Sequence, residues 1–179
     1  MIENNNNTHY IKEFFTDNGK EYVNKRFKIA LNKYGIIHNT TPAYTKEPNG
    51  LIERINLTIL NKVRSFLIAS NSPKYLWGEA MLSAVYIYNK TPHKALQYKT
   101  PYEIYYNMKS DISNIKIWGS IAYYHTNIYK KKLLPRKEEA ILIGYNDTNH
   151  YKLWDLNKQR SLWSRDVEIL EGSYNTQIK

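Results

Sequence analysis

The stretch PAYTKEPNGLIERINLTIL (Pro42–Leu60) decides the fold, because a polar loop changes there into a long amphipathic segment. Proline, asparagine and glycine mark the loop, and the apolar residues after it recur with the period of an α-helix. This pattern predicts a helix over Leu51–Ala69. Glu53 lies in its first turn, where a carboxylate offsets the positive end of the helix dipole. Glu53 therefore has either that structural role or a second role in a catalytic pair. The predicted apolar face consists of Ile52, Ile55, Ile59, Val63 and Phe66.

Upstream of this helix, the sequence predicts a strand, a helix and a second strand. Ile11–Thr16 is typical of a short strand and is followed by a turn at Asp17-Asn18-Gly19. Tyr22–Tyr34 has helical spacing, and Gly35 is a suitable C-terminal cap. Ile36–Thr41 returns to a strand pattern. Phe27, Leu31 and Tyr34 form the predicted apolar face of this first helix.

Downstream, two further helices precede a change to short aromatic-rich strands. Helical patterns cover Pro73–Asn89 and Thr100–Asn107, with Pro101 in a favourable first-turn position. From residue 115, alternating runs separated by turn residues predict a small antiparallel β module of about five strands over Ile115–Leu170. The predicted class is mixed α+β. The predicted segments are a leader at 1–10, a core part at 11–70, a helical extension at 71–110, the β module at 111–171 and a tail at 172–179.

The four tryptophans are expected mainly in cores. Trp77 is predicted to lie in the core of the second helical region, and Trp118, Trp154 and Trp163 in that of the β module. One of the four could instead form an aromatic platform on which a nucleic-acid base stacks.

Composition limits the classes of function. The net charge of +10 favours a polyanionic partner, and nucleic acid is the first candidate. The chain has no cysteine, which excludes a disulfide framework and a thiol nucleophile. No apolar run reaches the length of about 20 residues that a membrane helix needs. The sequence therefore predicts a soluble intracellular protein that binds no membrane.

Asp17 is the natural partner for Glu53. It follows a strand directly, and the 35 residues between the two acids contain one helix, one strand and one loop. A connection of this length can bring the chain back beside its first strand, so the two carboxylates can come close together. Two nearby carboxylates repel each other unless a cation lies between them. Mg²⁺ prefers carboxylate and phosphate oxygens, and two such ions can activate an attacking hydroxyl and stabilise a leaving oxygen. Each acid alone is more commonly a turn or dipole residue.

The motifs that carry these acids resemble those of copia-type long-terminal-repeat retrotransposon integrases, and the similarity continues nearly to the end of the chain. The matching motifs are Thr16-Asp17-Asn18-Gly19 with Glu21, Asn49-Gly50-Leu51-Ile52-Glu53-Arg54 with Asn56, Trp77-Gly78-Glu79-Ala80, Tyr86 with Asn89 and Pro92, Thr100-Pro101-Tyr102-Glu103, Ile117-Trp118-Gly119-Ser120, Leu142-Ile143-Gly144-Tyr145, Tyr151-Lys152-Leu153-Trp154-Asp155 and Ser164-Arg165-Asp166-Val167.

The resemblance implies part of an RNase H-like core, arranged as strand, helix, strand and long helix, followed by a helical extension and an SH3-like β module. It implies that Asp17 and Glu53 are catalytic residues and ligands of Mg²⁺, with Mn²⁺ as an alternative ion, in DNA 3′-end processing and strand transfer. It also implies a nuclear location for a functional protein. The residues expected to contact DNA are Asn18, Arg54, Asn56, Lys62, Arg64, Lys130, Lys131, Lys132 and Arg136.

One acid of the family is missing from this pattern. The family has a first acid well upstream of the second, but the 16 residues before Asp17 contain no aspartate. Glu13 is on the same strand as Asp17, roughly 13 Å away at about 3.3 Å per residue, and cannot share its metal. We therefore expect an N-terminally truncated core that binds metal weakly and is inactive alone. Its expected partners are DNA and either the upstream half of an integrase or a second copy of the chain.

Two other classes of function stay open at this point. The chain could be a DNA-binding remnant without catalysis, or a decayed coding fragment with no selected function. The missing acid separates an active transferase from both, and no sequence feature separates the two from each other.

Overall fold

The computed structural model describes residues 11–16, 19–40, 50–125 and 137–174. These residues belong to two compact units, an N-terminal unit of residues 1–56 and a C-terminal unit of residues 57–179. The fold is mixed α+β, as predicted.

The N-terminal unit contains a strand–helix–strand motif. The strands β1 (Glu13–Thr16) and β2 (Ile37–Thr40) pair in parallel, and the helix α1 (Lys25–Lys33) connects them. The side chain of Asn24 caps the start of α1 by accepting a hydrogen bond of 2.8 Å from the amide of Phe27. The observed elements lie within the predicted ones, with shorter ends.

Gly35 ends α1 in the way its sequence position predicts. Its φ of +66° is in the left-handed region that favours glycine. The amide of Gly35 donates to the carbonyl of Asn32, and the amide of Ile36 donates to the carbonyl of Leu31. These two bonds form a Schellman motif, which directs the chain from α1 straight into β2.

The N-terminal unit buries little apolar surface. Leu31 is its one buried apolar side chain among the described residues, and Phe27 is half-buried with edge-on contacts to the rings of Phe14 and His38. Tyr34, which was predicted on the apolar face, lies beyond the end of α1 and is exposed. The prediction for Tyr34 was wrong because the helical period no longer applies after the helix ends.

The long helix α2 (Gly50–Ala69) begins in the N-terminal unit and continues into the C-terminal unit. Ile59 and Val63 are buried, as the apolar stripe predicts, and Phe66 is half-buried. Ile52 is exposed instead, because no other described segment covers the first turn of the helix.

Two shorter helices follow in the C-terminal unit. The helix α3 is Trp77–Asn89, and α4 is Pro101–Tyr106. A capping box between Thr100 and Glu103 starts α4, with proline in the first turn. Short 3₁₀ turns at Lys74–Leu76 and Lys94–Leu96 precede α3 and α4 respectively.

The β module is a five-stranded antiparallel sheet with the order β6-β5-β4-β3-β7. The five strands of the prediction are therefore confirmed. They are β3 (Ile121–His125), β4 (Lys137–Tyr145), β5 (Tyr151–Asp155), β6 (Arg160–Ser164) and β7 (Val167–Leu170).

Helices and sheet of the C-terminal unit are joined by direct contacts. The ring of Trp118 stacks on Phe66 of α2 at 5.6 Å, and its Nε1 donates to the carbonyl of Ile143 at 3.0 Å. The hydroxyl of Ser83 on α3 donates to the same carbonyl at 2.9 Å. The carbonyl of Ile143 on the central strand β4 therefore binds α3 directly through Ser83, and α2 contacts it indirectly through Trp118.

Two of the four tryptophan predictions were wrong. Trp118 is buried and Trp154 is half-buried, as expected for core residues. Trp77 is 59% exposed and Trp163 is 50% exposed. Trp77 is the first residue of α3, and Trp163 lies on the edge strand β6, so each has neighbours on fewer sides than a central residue has.

Candidate metal and nucleic-acid site

Glu53 has the position that its sequence predicts. It is exposed and lies in the first turn of α2, beside Arg54. The N-terminal amides of a helix favour a negative charge there. Its carboxylate can therefore bind a cation from solvent without first losing a buried partner.

Asp17 lies outside the described residues, but the strand that leads to it is described. β1 ends at Thr16, the residue directly before Asp17. Thr16 is buried, and its hydroxyl lies 2.7 Å from Nε2 of His38 on β2. This bond fixes the end of β1 against β2. The predicted approach of Asp17 and Glu53 stays a prediction.

Metal ligation by the described residues alone is not supported. Within the described ranges, no group of three or more His, Cys, Asp or Glu residues is arranged to hold a metal ion. The carboxylate of Glu53 is an oxygen ligand of the type that Mg²⁺ prefers. Any ion bound there would need further ligands from Asp17, from water or from a partner.

The predicted DNA contacts on α2 do not form one surface. Arg64 is exposed and donates from Nη1 to Oδ1 of Asn61 at 3.0 Å, whereas Lys62 is half-buried. Residues two apart on a helix point about 200° apart, because each residue turns the helix by about 100°. Lys62 and Arg64 therefore face different directions. Asn56 is exposed. Arg54 is also exposed, and it interacts with another group of the protein.

The remaining predicted contacts fall outside the described residues. These are Asn18, Lys130, Lys131, Lys132 and Arg136. Lys137, the next basic residue, begins β4 and forms an ion pair with Glu168.

A basic surface that the sequence analysis missed lies on α1. The helix carries Lys25, Arg26, Lys28 and Lys33 and has no acid, and all four side chains are exposed. The signal is present in the sequence KRFKIALNK, but the helix prediction for this segment rested on its apolar face alone. Lys25 and Lys28 also line an open groove of about 720 Å³ beside β2.

The acids of the β module form a structural network. Asp155 is buried, and its Oδ1 accepts hydrogen bonds of 2.9 Å from the amides of Asn157 and Lys158, which closes the turn between β5 and β6. Its Oδ2 lies 2.7 Å from the hydroxyl of Tyr124. Burial tends to raise the pKa of Asp155, but the bonds from Tyr124 and from Lys158 outweigh burial and lower the pKa. Glu138 completes the network by pairing with Lys158.

A second ion pair ties α3 to the sheet. The ammonium group of Lys90 is buried, donates to Oδ1 of Asp147 at 2.7 Å and lies over the rings of Tyr86 and Tyr102. Burial opposes its charge, but the hydrogen bonds to Asp147 and Tyr86 outweigh burial and raise the pKa of Lys90. In both networks the charged groups bind other groups of the protein, so neither network is available as a catalytic pair.

The β module matches a known domain family. Residues 120–179 match the retroviral polymerase SH3-like domain, and this range contains all five strands of the sheet. The predicted SH3-like module is therefore confirmed.

Similarity to whole proteins extends beyond this module. The chain is 36% identical over 168 residues to the retrovirus-related Pol polyprotein from transposon TNT 1-94 of Nicotiana tabacum, which covers 93% of this chain and 13% of that polyprotein. It is 34% identical over 86 residues to an uncharacterised mitochondrial protein of Arabidopsis thaliana, covering 48% of this chain and 70% of that protein.

The chain belongs to the copia-type, retrovirus-related Pol family. It spans about an eighth of the length of the Pol polyproteins that it matches. Among solved structures, a chain of the simian T-cell lymphotropic virus intasome in complex with PP2A regulatory subunit B56 gamma aligns with 85% of this chain and 54% of that chain, at 16% identity and a TM-score of 0.47.

No helix among the described residues has both the length and the apolar character needed to cross a membrane.

Proposed function

We propose that this Pol-family chain is an integrase segment that supplies two carboxylates, Asp17 and Glu53, to a magnesium-dependent polynucleotidyl transferase site and binds DNA. The observation that carries the proposal is the position of Glu53, exposed in the first turn of α2. Asp17 follows directly after β1 in the same unit. The motifs around both residues resemble those that carry the second and third acids of copia-type integrases.

The metal would supply Lewis-acid chemistry at the reacting phosphate. The chain's own contribution is the placement of two carboxylates, one at a strand end and one at a helix start. The bond between Thr16 and His38 holds the strand end, and the first turn of α2 holds Glu53. An RNase H-like arrangement around β1 and β2 is part of the proposal.

The 179 residues alone are expected to bind one Mg²⁺ weakly and not to catalyse strand transfer. Two carboxylates leave most of the coordination shell of the ion to water, which Mg²⁺ tolerates. One weakly held ion cannot activate the attacking hydroxyl and stabilise the leaving oxygen together. A partner that adds a third acid, either the upstream part of a related core or another copy, would complete the site.

Metal binding tests the carboxylate pair without any need for activity. Mn²⁺, titrated as a paramagnetic substitute, should bind the parental chain and should bind at least about tenfold more weakly to Asp17→Asn and to Glu53→Gln. Glu13→Gln is the matched control, because Glu13 is an exposed acid of the same unit that accepts a hydrogen bond from Asn39. Equal affinity for all three variants would exclude the proposed site.

DNA binding without catalysis is the second candidate function. The exposed cations of α1 favour it, since they require no metal. It predicts the same DNA affinity in Asp17→Asn and Glu53→Gln as in the parental chain. An enzyme segment would instead show metal-dependent DNA binding that both substitutions reduce.

A further inference from the structure

We infer that the exposed face of α1 is a second DNA-binding surface, which holds the phosphate backbone of duplex DNA through Lys25, Arg26, Lys28 and Lys33. This inference rests on the proposed function, because it names a further surface by which the same chain holds DNA. It concerns residues outside the carboxylate pair and outside the DNA contacts expected from the family motifs.

The first observation is unbalanced charge. Four of the nine residues of α1 are cationic, and none is acidic. Most cations near the sheet of the C-terminal unit, such as Lys116 and Lys152, have acidic partners within hydrogen-bond distance. Among the described residues, no acid forms an ion pair with any of the four cations of α1. Unpaired positive charge on one helix face attracts a polyanion.

The second observation is the direction in which the cations of α1 point. Leu31 and the half-buried Phe27 mark the inner side of α1. At about 100° per residue, Lys25, Arg26 and Lys33 lie within an arc of about 100° around Ile29, which is 68% exposed. These three charges therefore face one partner together. Lys28 lies about 60° beyond Lys25, on the side of the groove that both lysines line.

The third observation is the length of α1. A nine-residue helix is about 13.5 Å long. One strand of duplex DNA presents a phosphate about every 3.4 Å along its axis, so about four phosphates fit beside four cations.

The fourth observation is the shape of the surface beside α1. Lys25 and Lys28 form one side of the open groove of about 720 Å³, and β2 contributes Ile37 and His38 to the other side. Ile37 is 60% exposed there, so the groove offers an apolar surface for deoxyribose beside the two lysines. A backbone that follows α1 can therefore reach the groove beside Lys25 and Lys28.

The test replaces the four cations of α1 by glutamine and measures duplex affinity as a function of salt. Glutamine has nearly the same helix propensity as lysine and arginine, so α1 should stay folded. The matched control replaces Lys74, Lys94, Lys99 and Lys109 by glutamine, which removes the same total charge from exposed positions of the C-terminal unit.

The expected result is a smaller salt slope in the α1 variant only. Each lost phosphate contact lowers the slope of log K against log salt by about 0.9, so the loss should reach about 2 to 4 units, with at least about tenfold weaker binding at low salt. As a second readout, duplex DNA should protect Lys25 and Lys28 of the parental chain from an amine-acetylating reagent more than the four control lysines.

Two results overturn the inference and can be told apart. If the α1 variant and the control lose the same affinity and slope, the surface on α1 is wrong while DNA binding by the chain stands. If the parental chain does not bind duplex DNA at low salt, the inference and the proposed DNA binding fail together.

Discussion

The two units of the chain bury apolar surface to very different extents. Among the described residues, the N-terminal unit buries one apolar side chain, Leu31, whereas the C-terminal unit buries fourteen. Phe15 and Ile37, on the two strands of the N-terminal unit, are 59% and 60% exposed. The C-terminal unit thus has a hydrophobic core of its own, while in the other unit the strand face that carries Phe15 and Ile37 is exposed and the opposite face packs on α1 through Phe27.

This difference bears on function as well as on stability. In the C-terminal unit, several charged groups pair with one another, as Lys90 does with Asp147. In the N-terminal unit, Glu53 and the cations of α1 face solvent. Charges that are paired inside the protein are not accessible to a ligand, whereas exposed charges are.

Trp118→Ala should cause the largest loss of stability. It removes the ring that stacks on Phe66 and the hydrogen bond to the carbonyl of Ile143. Replacing a buried aromatic residue by alanine costs about 3–5 kcal/mol in free energy of unfolding. Urea unfolding followed by circular dichroism measures this cost. The matched control is Trp77→Ala, which removes an exposed tryptophan and should cost about 0.5 kcal/mol or less. Similar costs for the two variants would contradict the location of the core.

Gly119→Ala should cause the next largest loss. Gly119 has a φ of +83°, and a methyl group there would lie 2.1 Å from Cβ of Ser70. The backbone strain alone costs about 1–3 kcal/mol, and the clash adds to it. Gly78→Ala is the control, because a methyl group at Gly78, inside α3, meets no atom within 4 Å. That variant should be neutral or more stable by about 1 kcal/mol. If Gly119→Ala and Gly78→Ala both unfold at the urea concentration of the parental chain, the close approach of Gly119 to Ser70 is wrong.

Asp155→Asn should remove part of the pH dependence of stability. The pKa of Asp155 is lowered in the folded chain, so its contribution is complete above the unfolded pKa of about 3.9 and is lost as pH falls through the folded pKa. The substitution should cost about 1–3 kcal/mol at pH 7 and less at pH 3. The measurement is the urea midpoint between pH 3 and 7. An unchanged pH profile would show that Asp155 has no special role in the turn.

Ile37→Thr should have the smallest effect, because its side chain in the N-terminal unit is already exposed. Surface substitutions of this kind change the free energy of unfolding by about 0.5 kcal/mol or less. Hydrogen exchange provides a second measurement, since β1 and β2 should exchange faster than β4 and β5. Slow exchange in β1 and β2, or a large cost of Ile37→Thr, would show that the N-terminal unit has a core comparable with that of the C-terminal unit.

Local sequence signals predicted most of the elements. The apolar period gave α2 nearly to the residue, Gly35 marked the end of α1, and Thr100 and Glu103 marked the start of α4. These signals involve residues within one or two helical turns of each other, so they can be recognised in a single sequence.

Side-chain exposure was harder to predict, because it depends on segments distant in sequence. The strands β6 and β7 are neighbours in sequence but lie at opposite edges of the sheet, which the alternating pattern does not reveal. Trp163 of β6 is consequently on an edge strand. The apolar patterns of β1 and of the first turn of α2 likewise do not reveal that Phe15 and Ile52 are exposed.

The candidate site was predicted in part. The sequence located Glu53 in the first turn of α2, which the structure contains, but it grouped Lys62 with Arg64 although they face different directions. The cations of α1 were missed because the prediction for this helix rested on apolar spacing alone. A count of charge on each helix, beside its apolar period, would have found them.

Strand transfer is the measurement that tests the central proposal most directly. The purified chain, given Mg²⁺, a processed DNA end and target DNA, should give no joined product, because Asp17 and Glu53 alone cannot hold two ions in place. Addition of the upstream part of a related integrase core, with its aspartate, should restore joining. Glu53→Gln should abolish the restored joining, and the control Glu13→Gln should retain it. Robust joining by the chain alone that Glu53→Gln abolishes would contradict the account, since a ligand outside the proposed pair would then complete the site.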